Sequence, residues 1–163
     1  MYVLICLAIV LFLFVFVILF GAPYVPTFSK QAHTALDLLD LKPGQTLVEL
    51  GSGDGAVLLA AARRGIVGIG YELNPILVLI SRIRCWRYRR LVRVYCRSYW
   101  SVPLPECDGI YAFLLDRFMP KLDRKITLEA KKTVRFVSYA FMVPGRRYTQ
   151  KRGGMFLYLY PKG

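Results

Sequence analysis

The stretch that most constrains this chain is Glu49-Leu50-Gly51-Ser52-Gly53-Asp54-Gly55, set between two apolar runs of different habit. Before it, Thr46-Leu47-Val48 reads as a short buried strand; after it, Ala56 to Ala62 is strongly helix-forming. Strand, glycine turn and helix in that order build a site for a small anionic or nucleotide-like ligand. Glycine lets the backbone take positive φ and lets a ligand approach without meeting a Cβ, and the helix that follows offers free N–H groups. Ile66 to Tyr71 reads as the next strand and ends in Glu72, 21 residues after Gly51. An acid at the end of the second strand of a doubly wound sheet can accept hydrogen bonds from both ribose hydroxyls. Together the two features imply a nucleoside cofactor. The spacing Gly51-x-Gly53-x-x-Ala56 also satisfies the loose dinucleotide pattern, so the loop alone does not choose the cofactor.

The wider pattern chooses. Glu49-x-Gly51-x-Gly53-x-Gly55 resembles motif I of the class I S-adenosylmethionine-dependent methyltransferases, and Gly70-Tyr71-Glu72-Leu73-Asn74-Pro75 resembles their ribose-binding motif. With Pro23 to Thr27 upstream and Ser81-Arg82 and Trp86 downstream, the order is similar to a family of small membrane-anchored protein-lysine methyltransferases. Eukaryotic members of that family methylate the c-subunit of mitochondrial ATP synthase or the adenine nucleotide translocase. The resemblance runs from about Ala22 to the C-terminus and fades in the second half. It implies a compact α/β fold, a Rossmann-like class I methyltransferase sheet with helices on both faces, and S-adenosyl-L-methionine as cofactor. Gly51, Ser52, Gly53 and Gly55 would wrap the methionine portion, Glu49 or Asp54 would lie near its ammonium, and Glu72, Leu73 and Asn74 would hold the ribose. Ser98 stands where the family commonly has an Asp that meets the adenine amino group; a serine accepts there without charge. The resemblance also implies that Tyr24 to Thr27 would fold over the cofactor and help shape the lysine entry.

The rest of the chain fits one domain with an appendage. A hydrophobic content of 56% beside a net charge of +13 is explained by segregation, because Tyr2 to Phe20 carries no charge and the first basic side chain is Lys30. Nineteen residues at about 1.5 Å each give about 28 Å of helix, enough for a bilayer core. A cleaved signal would need a basic n-region and a small-residue cleavage site, and an uncleaved transmembrane anchor is the better reading. With every Lys and Arg after the span, the positive-inside rule puts the globular part on the cytoplasmic or matrix-equivalent side. The expected organisation is an anchor over 1–21, a linker and first helix over 22–45, and the cofactor-binding domain over 46–163. The proline-punctuated stretch 21–29 serves as a stiff connector, as a cover for the site, or as both.

Lys30 to Leu41 has a helical apolar face, and His33 on it is an ordinary surface residue. Asn74-Pro75 is an N-cap followed by proline at the first helical position, with Ile76, Leu79, Ile80 and Ile83 expected as the buried stripe. Seven arginines from Arg82 to Arg97 alternate with aromatic residues. That mixture suits nucleic acid, but beside an anchor an anionic lipid surface explains it better. Further strands are expected at Leu91–Arg97, Asp108–Leu115, Thr133–Tyr139 and Met155–Tyr160, six in all, with a helix from Met119 to about Ala130 and a basic turn from Arg146 to Gly154. The helices after the third and fifth strands are shortened or missing. Four cysteines without Cys-x-x-Cys spacing indicate neither zinc nor a disulfide framework.

Methyl transfer from a sulfonium is an in-line displacement that needs alignment and exclusion of water. A lysine acceptor must also lose its proton, since with a pKa of about 10.4 well under about 1% is neutral at pH 7. Asp116, after the fourth strand, could hold the incoming ammonium or cap the following helix. Asp116, Tyr24 and bulk water are the candidates for the base. Three other readings stay open: transfer to RNA, transfer to a small molecule, or a non-catalytic membrane scaffold that keeps the cofactor fold.

Overall fold

The computed structural model describes residues 4–5 and 29–162. The chain order is α1 (Ser29–Leu39), β1 (Thr46–Leu50), α2 (Ala56–Arg63), β2 (Val67–Glu72), α3 (Pro75–Arg84), β3 (Val92–Cys96), β4 (Gly109–Ala112), α4 (Met119–Glu129), β5 (Val134–Tyr139), β6 (Gln150–Arg152) and β7 (Met155–Tyr160). Single 3-10 turns lie at Trp86–Tyr88, Tyr99–Ser101 and Asp116–Phe118. The strands form one sheet in the order β3-β2-β1-β4-β5-β7-β6, parallel from β3 to β5, with β7 antiparallel to both neighbours.

Side-chain alternation along each strand divides the core in two. On one face Leu47, Tyr111 and Val137 meet Ala35, Leu36 and Leu39 of α1 and Val57 and Ala61 of α2. On the other face Val48, Ile110, Phe136 and Tyr158 meet Met119, Leu122 and Ile126 of α4. Among the described residues helices therefore cover both faces, α1 to α3 on one and α4 on the other. The link from β3 to β4 carries only the Tyr99–Ser101 turn, the shortening expected from the sequence.

Three expectations are corrected. Among the described residues the sheet has seven strands, not six, because the basic turn after Arg146 contains β6, whose three residues are all exposed and which pairs there with β7 alone. Three polar residues carry no alternation to read, and Lys151 and Arg152 on this short edge oppose further strand pairing.

The second correction concerns α3. Asn74 caps it as expected, its side chain accepting from Ile76 N and Leu77 N with Pro75 next. Its buried face, however, is Val78, Ser81 and Cys85, while Ile76, Leu79, Ile80 and Ile83 are exposed. The cause is a close helix approach. A Cβ built on Gly55, at the start of α2, would overlap the Ser81 hydroxyl, and Cys85 Sγ lies 3.8 Å from Gly55 O. Only small side chains fit that seam, so the large ones are turned outward. Arg82 fixes the arrangement by donating from Nε (3.2 Å) and Nη2 (2.8 Å) to Val94 O on β3.

Third, Asp116 does not cap α4. The N-cap is Phe118, without a side-chain cap, and Asp116 instead opens the 3-10 turn before it as an exposed residue. The intervening turn moves Asp116 too far upstream to reach the first amides of α4.

The span expected at 2–20 and the connector carrying Tyr24 lie outside the described residues, apart from Leu4 and Ile5. Among the described residues no helix is long and apolar enough to cross a membrane. Cys85, Cys96 and Cys107 are free thiols, and no cluster of three or more His, Cys, Asp or Glu side chains there could hold a metal. His33 is an exposed residue 3.1 Å from Arg64.

Candidate functional site

Parallel strands deliver their C-terminal ends to one edge of the sheet, and open sheets of this kind bind ligands in the crevice there. The residues singled out above converge on that edge. Gly51 to Gly55 follow β1, Glu72 closes β2, Ser98 follows β3 and Asp116 follows β4. Tyr24 is outside the described residues.

The loop is built by its glycines and by one carbonyl. Gly51, Gly53 and Gly55 take φ values of 82, 51 and 78°, positive values that L side chains resist. Gly51 N and Ser52 N both donate to Tyr71 O at 2.9 Å, which ties the loop to the end of β2. Gly70 makes this possible, since a Cβ there would lie 2.7 Å from Ser52 Oγ and 2.6 Å from Leu58. A Cβ on Gly51 would meet nothing within 4 Å and points into open space. Gly51 thus keeps a ligand-facing surface clear, whereas Gly55 serves the packing of α2 against α3.

Glu72 is organised by backbone. Its Oε2 accepts from Gly53 N at 2.9 Å, and its Oε1 accepts from Leu73 N at 2.8 Å and Asn74 N at 2.9 Å. The carboxylate therefore joins the β1 loop to the β2 loop; Oε1 already accepts twice, and Oε2 keeps a lone pair for a further donor. Asp54 accepts from Ala56 N at 3.2 Å and pairs with Arg84 of α3, which holds it against the helix seam. Ser98 accepts from Trp100 N at 3.3 Å and caps the 3-10 turn.

Glu49 is the electrostatic outlier. It is 4% exposed, and its Oε2 has no hydrogen-bond partner among the described residues. Burial pushes its pKa well above the usual carboxylate range, and the charges of Asp54 and Glu72 push the same way, with only the Leu58 N–H opposing them. Three carboxylates thus surround one loop, an environment suited to a cation. Ser52 Oγ is also buried without a partner among the described residues.

Several contributors were not singled out from the sequence. Tyr99 is largely buried, its hydroxyl held protonated by burial and by the negative charge of Glu72. Its ring packs 4.6 Å from Trp100, which lies 6.2 Å from Phe118, so aromatic side chains line the edge between β3 and β4. At the end of β5, Ala140 takes a φ of 68°, a left-handed conformation that is uncommon for alanine. Phe113 and Tyr139 pack at 4.8 Å across the ends of β4 and β5. The aromatic run Tyr99-Trp100 was the available signal; nothing in the sequence marked Ala140.

A glycine loop after β1, an acid closing β2 and a parallel sheet extended by an antiparallel β7 define a Rossmann-like methyltransferase fold. In agreement, the structure of an RNA methyltransferase from Salinibacter ruber, in complex with S-adenosyl-L-homocysteine, superposes with a TM-score of 0.80 at 25% identity, covering 85% of this chain and 95% of that one. The chain belongs to the ANTKMT methyltransferase domain family, whose model matches residues 49–150. The lysine N-methyltransferase of the ATP synthase c-subunit from Mus musculus is 36% identical over 124 residues, 75% of this chain and 50% of that protein. The adenine nucleotide translocase lysine N-methyltransferase of the same species is 37% identical over 125 residues, covering 75% and 54%. The chain spans about half the length of these curated relatives.

Proposed function

We propose that this protein is a membrane-anchored S-adenosyl-L-methionine-dependent methyltransferase that acts on a lysine side chain of an integral membrane protein. The observation that carries the reading is the cation-suited loop: three carboxylates, two of them joined to the glycine turn by backbone hydrogen bonds, beside a backbone surface that a Cβ would obstruct. The cofactor presents an ammonium and a ribose diol, and the residues fit both. The unpartnered Oε2 of Glu49 and the remaining lone pair of Glu72 Oε2 supply the acceptors. The bound cofactor supplies an electrophilic methyl group. Gly51 to Gly53 fix its position, Glu72 orients it, and the aromatic edge from Tyr99 to Phe118 excludes water. Asp116 is an exposed carboxylate at the end of β4, placed to attract an acceptor ammonium.

Relatives at 36–37% identity that are named for protein lysines favour lysine as the acceptor. Transfer to RNA is the second reading, favoured by the Salinibacter structure. The uncharged stretch 2–20 supports a single-pass anchor with the domain on the cytoplasmic or matrix-equivalent side, and tethering to one surface raises the effective concentration of a membrane-bound acceptor. The test is calorimetric titration of the full chain in detergent with S-adenosylmethionine and with NAD, followed by methyl transfer to membrane protein and to RNA. Sulfonium binding alone, weakened in Glu72→Gln, with label on lysine, is the expected result; Asp116→Asn should slow transfer while keeping affinity. Absence of binding by folded protein would leave a non-catalytic scaffold.

A further inference from the structure

The outward turn of α3 leaves a feature that the cofactor site does not use. Ile76, Leu79, Ile80 and Ile83 recur at i, i+3, i+4 and i+7 on the side of the helix away from the sheet, with exposures of 55, 59, 40 and 66%. Trp86, in the 3-10 turn directly after the helix, is 66% exposed. Contiguous apolar surface of this kind on a folded domain marks an interaction site. Its surroundings are basic. Arg87, Arg89 and Arg90 are exposed, and none pairs with a carboxylate among the described residues. Arg89 lies 5.1 Å over the Trp86 ring. From Leu73 to Pro105 the sequence contains no acidic residue.

We propose that the outer face of α3 and the Trp86–Tyr88 turn form an interfacial surface that seats on an anionic bilayer. An amphipathic helix with large apolar side chains, an interfacial tryptophan and flanking arginines sits at the boundary between headgroups and acyl chains, where both kinds of side chain are satisfied together. Other occupants satisfy only one. A second copy of the chain would bring the two arginine sets together across a two-fold axis. Nucleic acid would neutralise the arginines but leave the isoleucines in water. The apolar residues 2–20 could cover the stripe, but residues 1–29 contain no acid to meet the arginines. The surface does not depend on which acceptor is methylated.

Trp86 and Trp100 are the two tryptophans, so Trp100→Phe leaves Trp86 as a single reporter. The full chain is reconstituted into phosphatidylcholine vesicles, with or without phosphatidylglycerol, that contain lipids brominated at shallow acyl positions. The apolar N-terminal stretch can hold the chain on either vesicle, so the depth of Trp86 is read rather than partitioning. Most of the Trp86 emission should be lost in the anionic vesicles and little in the neutral ones. Arg87→Glu with Arg90→Glu, or Leu79→Ser with Ile83→Ser, should restore it while the chain still floats with the vesicles. The parent compared with Trp86→Phe gives the same reading without altering Trp100. An unquenched Trp86 on anionic vesicles would overturn the proposal and assign the stripe to the N-terminal segment or a protein partner. Equal quenching in both compositions, or quenching that survives charge reversal, would equally overturn it.

Discussion

Gly51 and Gly55 belong to one motif and have almost the same φ, 82 and 78°, yet the structure gives them different work. A Cβ on Gly51 enters open space; one on Gly55 overlaps the Ser81 hydroxyl and lies 3.0 Å from Ser81 Cβ and 3.2 Å from its Cα. Alanine in the left-handed region costs about 1–2 kcal/mol, offset by about 0.4–1 kcal/mol from the stiffer unfolded chain. Gly51→Ala should therefore lose only about 0.5–1 kcal/mol. Gly55→Ala adds an overpacking cost of about 1–3 kcal/mol because Ser81 Cα cannot move without α3, giving a loss of about 2–4 kcal/mol. For a chain of this size those losses lower Tm by about 1–4 °C and about 4–16 °C respectively. Thermal unfolding of the full chain in detergent measures both, and S-adenosylmethionine titration should show the opposite ranking, with affinity reduced in Gly51→Ala and largely kept in folded Gly55→Ala. Ser81→Gly removes Oγ and Cβ, the two closest of the three obstructing atoms, and leaves only the 3.2 Å approach of the Cα. Combined with Gly55→Ala it should show a favourable coupling of about 1–3 kcal/mol. Equal destabilisation by the two alanines, or additivity of Gly55→Ala with Ser81→Gly, would refute the division of labour.

Two further substitutions test the site's electrostatics and strain. The unfolded Glu49 titrates near the ordinary value of 4.5 and the folded one well above it, so rising pH removes a proton from the unfolded chain that the folded chain retains, and stability falls between the two values. Glu49→Gln should remove that slope and raise the cofactor-free Tm near neutral pH while lowering cofactor affinity; an unchanged profile of Tm from about pH 5 to 8 would show that Glu49 is not the buried acid responsible. Ala140 is exposed, so Ala140→Gly loses little packing and relieves a left-handed alanine, with a net gain of up to about 1 kcal/mol after the entropy cost of glycine. A lower Tm in that variant would show that the turn at the end of β5 is not strained.

Where the sequence was legible, two independent signals agreed. Glycine chemistry and the change from a strand-like to a helix-forming apolar run together marked β1, α2 and β2, and Asn74-Pro75 marked the start of α3 by local capping alone. The resemblance supplied the cofactor class, which the glycines and Glu72 had left open. Periodicity misled at α3, because an apolar stripe states that one face differs from the other without saying which face the fold buries. That choice was made by the seam of Gly55, Ser81 and Cys85, whose small side chains carry almost no hydropathy signal. β6 escaped notice because a short edge strand is selected for charge rather than for alternation. The capping role of Asp116 did not hold because a 3-10 turn looks, in sequence, like the first turn of the helix it precedes.

The Tyr71 carbonyl that accepts from both Gly51 and Ser52 has a consequence for how the site meets its ligand. A loop held at that carbonyl, and again through Gly53 to Glu72, has lost its backbone freedom during folding. Little ordering is left for the moment of binding, so this side of the crevice acts as a rigid template, and adaptation to different ligands falls to the chain segments opposite it.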